Sequence, residues 1–179
     1  VRNKVVSSGL NFNIPQIVEV KDTVSTSFYS NNLKLIPRSQ NQKLMRFYFN
    51  LVNHSSSGTP KYYNGGDNVN QITNVRLAIN GVYQSDSVLT PTQFWIQNSE
   101  KFLKSSLTIN DFLLHNSCYV YDFTGQEKFS LLPFNLNLEA GLDISPSTDV
   151  TVEINKPNTN TRNYYAWAIL TRHLRSDAG

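Results

Sequence analysis

Histidine and cysteine side chains are the first candidates for metal binding or nucleophilic catalysis in this sequence. The histidines His54, His115 and His173 lie far apart, so no two of them have the i, i+4 or short-loop spacing of a metal site. Cys118 is the only cysteine, which excludes an intramolecular disulfide and a cysteine-based metal site. Because Cys118 lies next to an apolar strand pattern, we expect it to be a small buried hydrophobe. The sequence predicts neither a metal ion nor a cofactor.

The carboxylates also lack the arrangement of an active site. Asp122 lies on the polar face of an aromatic strand, where it can cap the turn at Thr124 and Gly125. Glu139 and Glu153 are predicted to face outward on adjacent strands and to pair across strands. A glycosidase would need two facing carboxylates, and no phosphate-binding loop, dinucleotide motif or nucleophile elbow is present. The sequence therefore predicts a protein that is not an enzyme.

The charge of the chain is small and evenly distributed. Among 179 residues, 16% are charged, the net charge is +3 and the isoelectric point is near 9.0. Basic residues do not form a cluster, so we expect no direct binding of nucleic acid. An apolar stretch of about 18 residues, as a membrane span requires, is also missing. The length fits one domain, which we predict to cover residues 1–179.

Most of the chain follows the two-residue period of β-strands. Apolar and polar residues alternate cleanly in the predicted strand 44–52. The last predicted strand is instead apolar on both faces, so we expect it to be central and Trp167 to be buried between the sheets. Asn80 and Gly81 supply the positive φ angles of a type I′ hairpin turn. The predicted strands cover residues 16–21, 24–29, 44–52, 72–80, 82–83, 119–123, 136–143, 150–154 and 164–170.

One segment, residues 90–115, departs from the strand pattern. Its apolar residues recur at nearly helical spacing, and Thr90 followed by Pro91 is a typical helix start. Thr108 and Asp111 resemble a capping box. We expect one or two short helices here. The segment carries more aromatic surface than a short helix can bury alone, and its aromatic residues are the candidate subunit interface: Phe94, Trp95, Phe102 and Phe112. The alternative is that all four pack over the end of the sandwich.

The fold class follows from these elements. Eight or nine strands without alternating helices predict an all-β protein, an antiparallel β-sandwich. The long loops and the short helical insert favour the jelly-roll type, in which about eight strands form two sheets. An immunoglobulin-type sandwich is less favoured because paired cysteines are missing.

Several short motifs in the second half of the chain carry a family resemblance. In order, they are Ile79-Asn80-Gly81, Leu107-Thr108-Ile109-Asn110-Asp111-Phe112, Tyr119-Val120-Tyr121-Asp122-Phe123-Thr124, Leu136-Asn137-Leu138-Glu139-Ala140-Gly141-Leu142 and Val150-Thr151-Val152-Glu153-Ile154. The region from about 79 to 174 resembles jelly-roll coat proteins of the adenovirus, Polinton-like and virophage lineage. It departs from them at Asn116-Ser117-Cys118, where a small residue is usual.

The resemblance implies a structural capsid protein that forms the icosahedral shell of a virus and is located in the virion. Its partners would be other copies of itself and other capsid proteins. The length leaves room for one jelly roll, which favours a penton, minor capsid or spike-associated subunit over a double jelly-roll hexon. The alternative is a receptor- or carbohydrate-binding jelly-roll module of a viral spike or adhesin, in which Tyr62, Tyr63 and Tyr83 would stack on sugars of a host receptor or glycan.

Overall fold

The computed structural model of the protein describes residues 10–38, 41–53, 72–99, 108–114, 118–125 and 140–176. These residues form nine strands and two short helices. The strands are β1 (Leu10–Val24), β2 (Phe28–Lys34), β3 (Lys43–Asn53), β4 (Asn74–Ile79), β5 (Val82–Tyr83), β6 (Tyr119–Asp122), β7 (Leu142–Asp143), β8 (Asp149–Asn155) and β9 (Arg162–Ser176). The helices are α1 (Pro91–Gln97) and α2 (Ile109–Leu114).

The strands form two antiparallel sheets. One has the order β1-β9-β3-β6, with β7 also paired to β3, and the other has the order β2-β8-β4-β5. Leaving out the two-residue β7, the pairs are nested along the chain: β1 with β9, β2 with β8, β3 with β6 and β4 with β5. This nesting is the jelly-roll arrangement. It confirms the predicted fold class, and β9 has the predicted central position between β1 and β3.

The core lies between the two sheets. Period-two alternation places every second side chain of each strand on the inner face. Both sheets contribute aliphatic and aromatic residues that have almost no exposed surface, which identifies the sandwich interior as one continuous core. Its strand residues include Phe47, Phe49, Leu51, Tyr119, Tyr164, Ala166, Ala168 and Leu170 in the first sheet and Val75, Leu77, Ile79, Val150, Val152 and Ile154 in the second.

The Asn-Gly turn joins β4 to β5 as predicted. Asn80 has a φ of 53° and Gly81 a φ of 76°, so both adopt the left-handed conformation of a type I′ turn. The side chain of Asn80 also accepts a hydrogen bond from the backbone N–H of Asp149 at 3.0 Å. This contact fixes the turn to the start of β8.

Both helices of the insert begin at capping boxes. Thr90 Oγ1 accepts a hydrogen bond from the N–H of Gln93, while Gln93 Oε1 accepts one from the N–H of Thr90 at 2.9 Å. Thr108 and Asp111 make the same reciprocal pair at the start of α2. Each box satisfies two N–H groups that a helix start leaves free. The predicted helical insert is confirmed. Among the described segments, none forms an apolar helix of membrane-spanning length.

Three predicted strands differ from the structure. In place of the predicted strand 24–29, β1 ends at Val24, residues 25–27 lie outside any strand, and β2 begins at Phe28. Asp22 was expected to separate two strands, but β1 continues through it and pairs with β9 along its whole length. The side chain of Asp22 lies at the exposed sheet edge and accepts a hydrogen bond from the Tyr29 hydroxyl at 2.8 Å, so a carboxylate is tolerated there. Of the predicted strand 136–143, only Leu142–Asp143 is found in the described residues, as β7.

The prediction that Trp167 is buried between the sheets is wrong. On β9 the inner positions are taken by Tyr164, Ala166 and Ala168, whereas Trp167 lies half-buried on the outer face. Its indole Nε1 donates a hydrogen bond to Glu19 Oε1 at 3.3 Å. The register pairs Ala166 with Phe49 and Ala168 with Phe47, so phenylalanine rings of β3 lie beside these small residues on the inner face. The aromatic stripe of β9 therefore faces outward.

This orientation changes the expected cost of removing the indole. We expect Trp167→Ala to lower the free energy of unfolding by about 1–2 kcal/mol, because only part of the ring leaves an apolar environment. Urea unfolding followed by circular dichroism measures this value. A loss above about 3 kcal/mol, typical of a fully buried aromatic residue, would contradict the outward position.

Candidate functional site

The helical insert packs into the side of the sandwich between β5 and β6. The Phe94 ring of α1 lies edge-on to Tyr119 and Tyr121 of β6, with centroid distances of 4.9 and 5.3 Å. Phe112 of α2 lies 6.1 Å from Phe94 and 5.3 Å from Tyr119. A backbone bridge between Val75 and Leu89 attaches the start of the insert to β4. The helices thus close one side of the core.

This packing divides the four residues of the predicted subunit interface. Phe94 and Phe112 have no exposed surface, so their rings belong to the core of this chain and offer nothing to a neighbour. Trp95 is half-buried, and its Nε1 is shielded without a hydrogen-bond acceptor. Phe102 lies outside the described residues. Trp95 is the member of the set that still presents side-chain surface.

The insert also exposes one aliphatic residue that the sequence analysis did not single out. Ile96 lies next to Trp95 on α1 and has 59% of its surface exposed. Gln93 and Gln97, on the same outward side, are exposed as well. An apolar residue among amides gives this helix a small contact surface, which we call the α1 surface and define as Gln93, Trp95, Ile96 and Gln97. Residues two positions apart lie on different faces of a helix, so the position of Ile96 relative to Phe94 could have predicted that Ile96 is exposed.

Asp122 makes the turn contacts that were predicted and a further one that was not. Its Oδ1 accepts hydrogen bonds from the N–H of Thr124 at 3.1 Å and from the Thr124 hydroxyl at 2.7 Å. It also pairs with Arg46 Nε of β3 at 3.3 Å, and both charged side chains are 0% exposed. The predicted capping of the turn by Asp122 is confirmed. The partner was overlooked, although an arginine within the apolar run of β3 already indicated a buried ion pair.

Glu153 lies on the outer face of the second sheet, opposite Arg76. Its Oε1 accepts a hydrogen bond from the Tyr83 hydroxyl at 3.2 Å. The Arg76 guanidinium lies 3.3 Å from the centroid of the Tyr83 ring, a cation–π contact. One face of the Tyr83 ring is therefore covered, and 42% of the residue's surface is exposed. Tyr62, Tyr63 and Glu139 lie outside the described residues.

The remaining candidates for chemistry do not come together. A ring nitrogen of His173 lies 3.1 Å from the carbonyl oxygen of Asn41, while His54 and His115 lie outside the described residues. Within the described ranges, no group of three or more His, Cys, Asp or Glu side chains could hold a metal ion. Cys118 packs against the main core, and burial raises the pKa of its thiol to about 12.

We expect the Cys118 thiol of the folded protein to react slowly with alkylating agents. Because the thiolate is the nucleophile, a pKa of about 12 instead of the ordinary 9.0 lowers the reactive fraction at pH 8 by about a thousandfold. Iodoacetamide labelling followed by mass spectrometry, with and without guanidinium, measures the ratio of rates. Equal rates in folded and unfolded protein would mean that the thiol is open to solvent.

Comparison of the sequence with family profiles and curated sequences finds no match. Solved structures do match. The quasi-atomic structure of the PBCV-1 virus capsid aligns with 99% of this chain and 52% of its own, at 14% identity and a TM-score of 0.56.

Two other matches have similar coverage. A crystal structure of PBCV-1 VP54, fitted into a cryo-EM reconstruction of the virophage Sputnik, covers 98% of this chain and 51% of its own, at 12% identity and a TM-score of 0.57. The major capsid protein P2 of bacteriophage PM2 covers 89% of this chain and 45% of its own, at 10% identity and a TM-score of 0.45. This chain thus spans about half the length of the structures it matches, and the two PBCV-1 matches share its fold.

Proposed function

We propose that this protein is a structural subunit of a viral capsid, located in the virion, which assembles with copies of itself and with other capsid proteins. The observation that carries the proposal is the nested jelly roll, which aligns over 98–99% of the chain with the PBCV-1 capsid structures. The motifs of the second half of the sequence, which resemble coat proteins of the adenovirus, Polinton-like and virophage lineage, support the same role. On this proposal the protein performs no catalysis.

The type of subunit is a further part of the proposal. The described strands form one nested set that closes through β9, and this supports a single jelly-roll subunit of the penton or minor capsid type. A rigid sandwich of this kind builds a shell geometrically, because contacts between different surfaces of identical copies close into rings.

The α1 surface is the part of the insert that we assign to the contact between neighbouring subunits. Ile96 is the most exposed apolar residue of this helix, and Trp95 lies beside it. The helix is anchored to the core through Phe94, so the surface is held in place before any partner binds. Preorganisation of this kind lowers the entropic cost of association.

We expect Ile96→Glu to prevent assembly of the purified chain while its melting temperature stays within about 2 °C of the original, since the residue is exposed in the single subunit. Size-exclusion chromatography with light scattering measures the oligomer, and negative-stain electron microscopy shows whether it is a closed ring. The matched control is Val82→Glu, which places the same charge at another exposed aliphatic position, on β5. If Ile96→Glu still forms closed oligomers, the α1 surface is not the contact between subunits. If the unsubstituted protein stays monomeric at all concentrations, the result counts against the capsid role.

A further inference from the structure

An open cleft lies where β1 and β9 run side by side near the start of β9. It has a volume of about 330 Å³ and is lined by Lys21, Asp22, Thr23, Asn163 and Tyr165. The strand register places Lys21 opposite Tyr165 and Thr23 opposite Asn163, so the lining comes from two directly paired strands. This volume is at the lower end of the range of about 300–1,000 Å³ typical of small-ligand sites. We call it the β1–β9 cleft.

The wall of the cleft on β9 is aromatic. Tyr165 and Trp167 occupy alternate positions on the outer face, and their rings are parallel within 7° with centroids 6.0 Å apart. The indole Nε1 of Trp167 is held by Glu19, which also pairs with Lys21 Nζ at 3.3 Å. The ammonium of Lys21 lies 5.9 Å from the centre of the Tyr165 ring. Two rings are thus fixed in parallel beside the cleft.

Its polar groups are also held in place. One oxygen of the Asp22 carboxylate accepts the Tyr29 hydroxyl at 2.8 Å, and the other accepts the N–H of Thr23 at 2.7 Å. The strand register pairs Asp22 with the buried Tyr164, so this carboxylate lies on the face of β1 that points toward the second sheet. On the outer face, the hydroxyl of Thr23 can donate and accept hydrogen bonds and the ammonium of Lys21 can donate them. The cleft therefore combines an aromatic wall with hydrogen-bonding groups of both kinds.

We propose that the β1–β9 cleft binds a neutral saccharide. A sugar ring has an apolar C–H face that packs on an aromatic ring, and its rim of hydroxyls both donates and accepts hydrogen bonds. Lys21, the cation among the lining residues, is paired with Glu19, so the cleft has no excess positive charge to select a phosphate or an acidic sugar. Its lining is too polar for a lipid chain. This inference does not depend on the capsid role.

The test uses the full chain and a glycan array that carries both neutral and sialylated glycans, followed by titration of the best neutral ligand with detection by saturation-transfer NMR. We expect neutral glycans to bind and Tyr165→Ala to weaken the affinity at least tenfold, whereas Tyr165→Phe retains it because the ring face is kept. The matched control is Tyr83→Ala, which removes an aromatic ring from the outer face of the other sheet. It should bind like the original.

A second variant covers the case in which Tyr165→Ala fails to fold. Thr23 is exposed, and Thr23→Arg fills the cleft without removing a core contact, so binding should be lost in a protein with an unchanged circular dichroism spectrum. The inference is overturned if no neutral glycan binds, if only sialylated glycans bind, or if binding survives Thr23→Arg. Oligomer size, measured in parallel by light scattering, reports on the capsid role separately.

Discussion

Asp122→Ala is expected to lower the free energy of unfolding by about 3–5 kcal/mol, the usual cost of removing one partner from a buried ion pair. The carboxylate and the Arg46 guanidinium it contacts are both 0% exposed, so water cannot replace the lost charge. The substitution also removes the acceptor for the N–H and the hydroxyl of Thr124. Urea unfolding of the unassembled chain measures the change.

A second ion pair of β3, the strand that carries Arg46, offers a matched control. Lys43 of β3 pairs with Asp143 at 3.2 Å, but the side chain of Asp143 is 83% exposed, so Asp143→Ala should cost less than about 1 kcal/mol. The double variant Arg46→Met with Asp122→Ala should regain more than half of the loss, because the uncompensated charge is gone. Equal losses for Asp122→Ala and Asp143→Ala would mean that the Arg46 pair is open to water.

Phe94→Ala is the second change with a large expected effect, a loss of about 3–5 kcal/mol in the free energy of unfolding. The ring is fully buried and contacts aromatic rings of α2 and β6, so its removal leaves a cavity that rigid neighbours cannot fill. The insert would then detach from the side of the sandwich. Denaturant unfolding, monitored by near-ultraviolet circular dichroism of the aromatic cluster, records both effects.

Ile96→Ala is the control on the same helix, two residues away. Because Ile96 is exposed, its truncation should change the stability of the single chain by less than about 0.5 kcal/mol. A Phe94→Ala variant as stable as Ile96→Ala would show that the insert is not part of the core. In that case the aromatic residues of α1 and α2 would again be candidates for an intersubunit contact.

Local signals predicted the elements that depend on short-range chemistry. The turn at Asn80 and Gly81 needs two positive φ angles, and the helix start at Thr90 needs a side-chain acceptor, so residue type alone identifies both. The central position of β9 also followed from its apolar character on both faces. The sandwich and its helical insert were predictable for these reasons.

Other features depend on what lies across the sheet. Alternation divides β9 into two faces, but when both are apolar it does not tell which face points inward, and Trp167 was assigned to the wrong one. Alanines at 166 and 168 lie inside, where the register places them beside Phe49 and Phe47 of β3. Likewise, the pairing of Arg46 with Asp122 depends on a register between strands far apart in the chain. The β1–β9 cleft was missed for the same reason.

The central position of β9 has a consequence for how the protein is made. The ribosome synthesises this strand after every other described strand, yet β1 pairs only with β9 in the described sheet, and β3 pairs with β9 as well as with β6 and β7. Until β9 emerges, the nascent chain holds long unpaired strands, and pairing of distant segments is slow because loop closure costs entropy. This sheet can therefore be completed only after β9 has been synthesised. At high expression, unfinished chains have open edges through which they can aggregate.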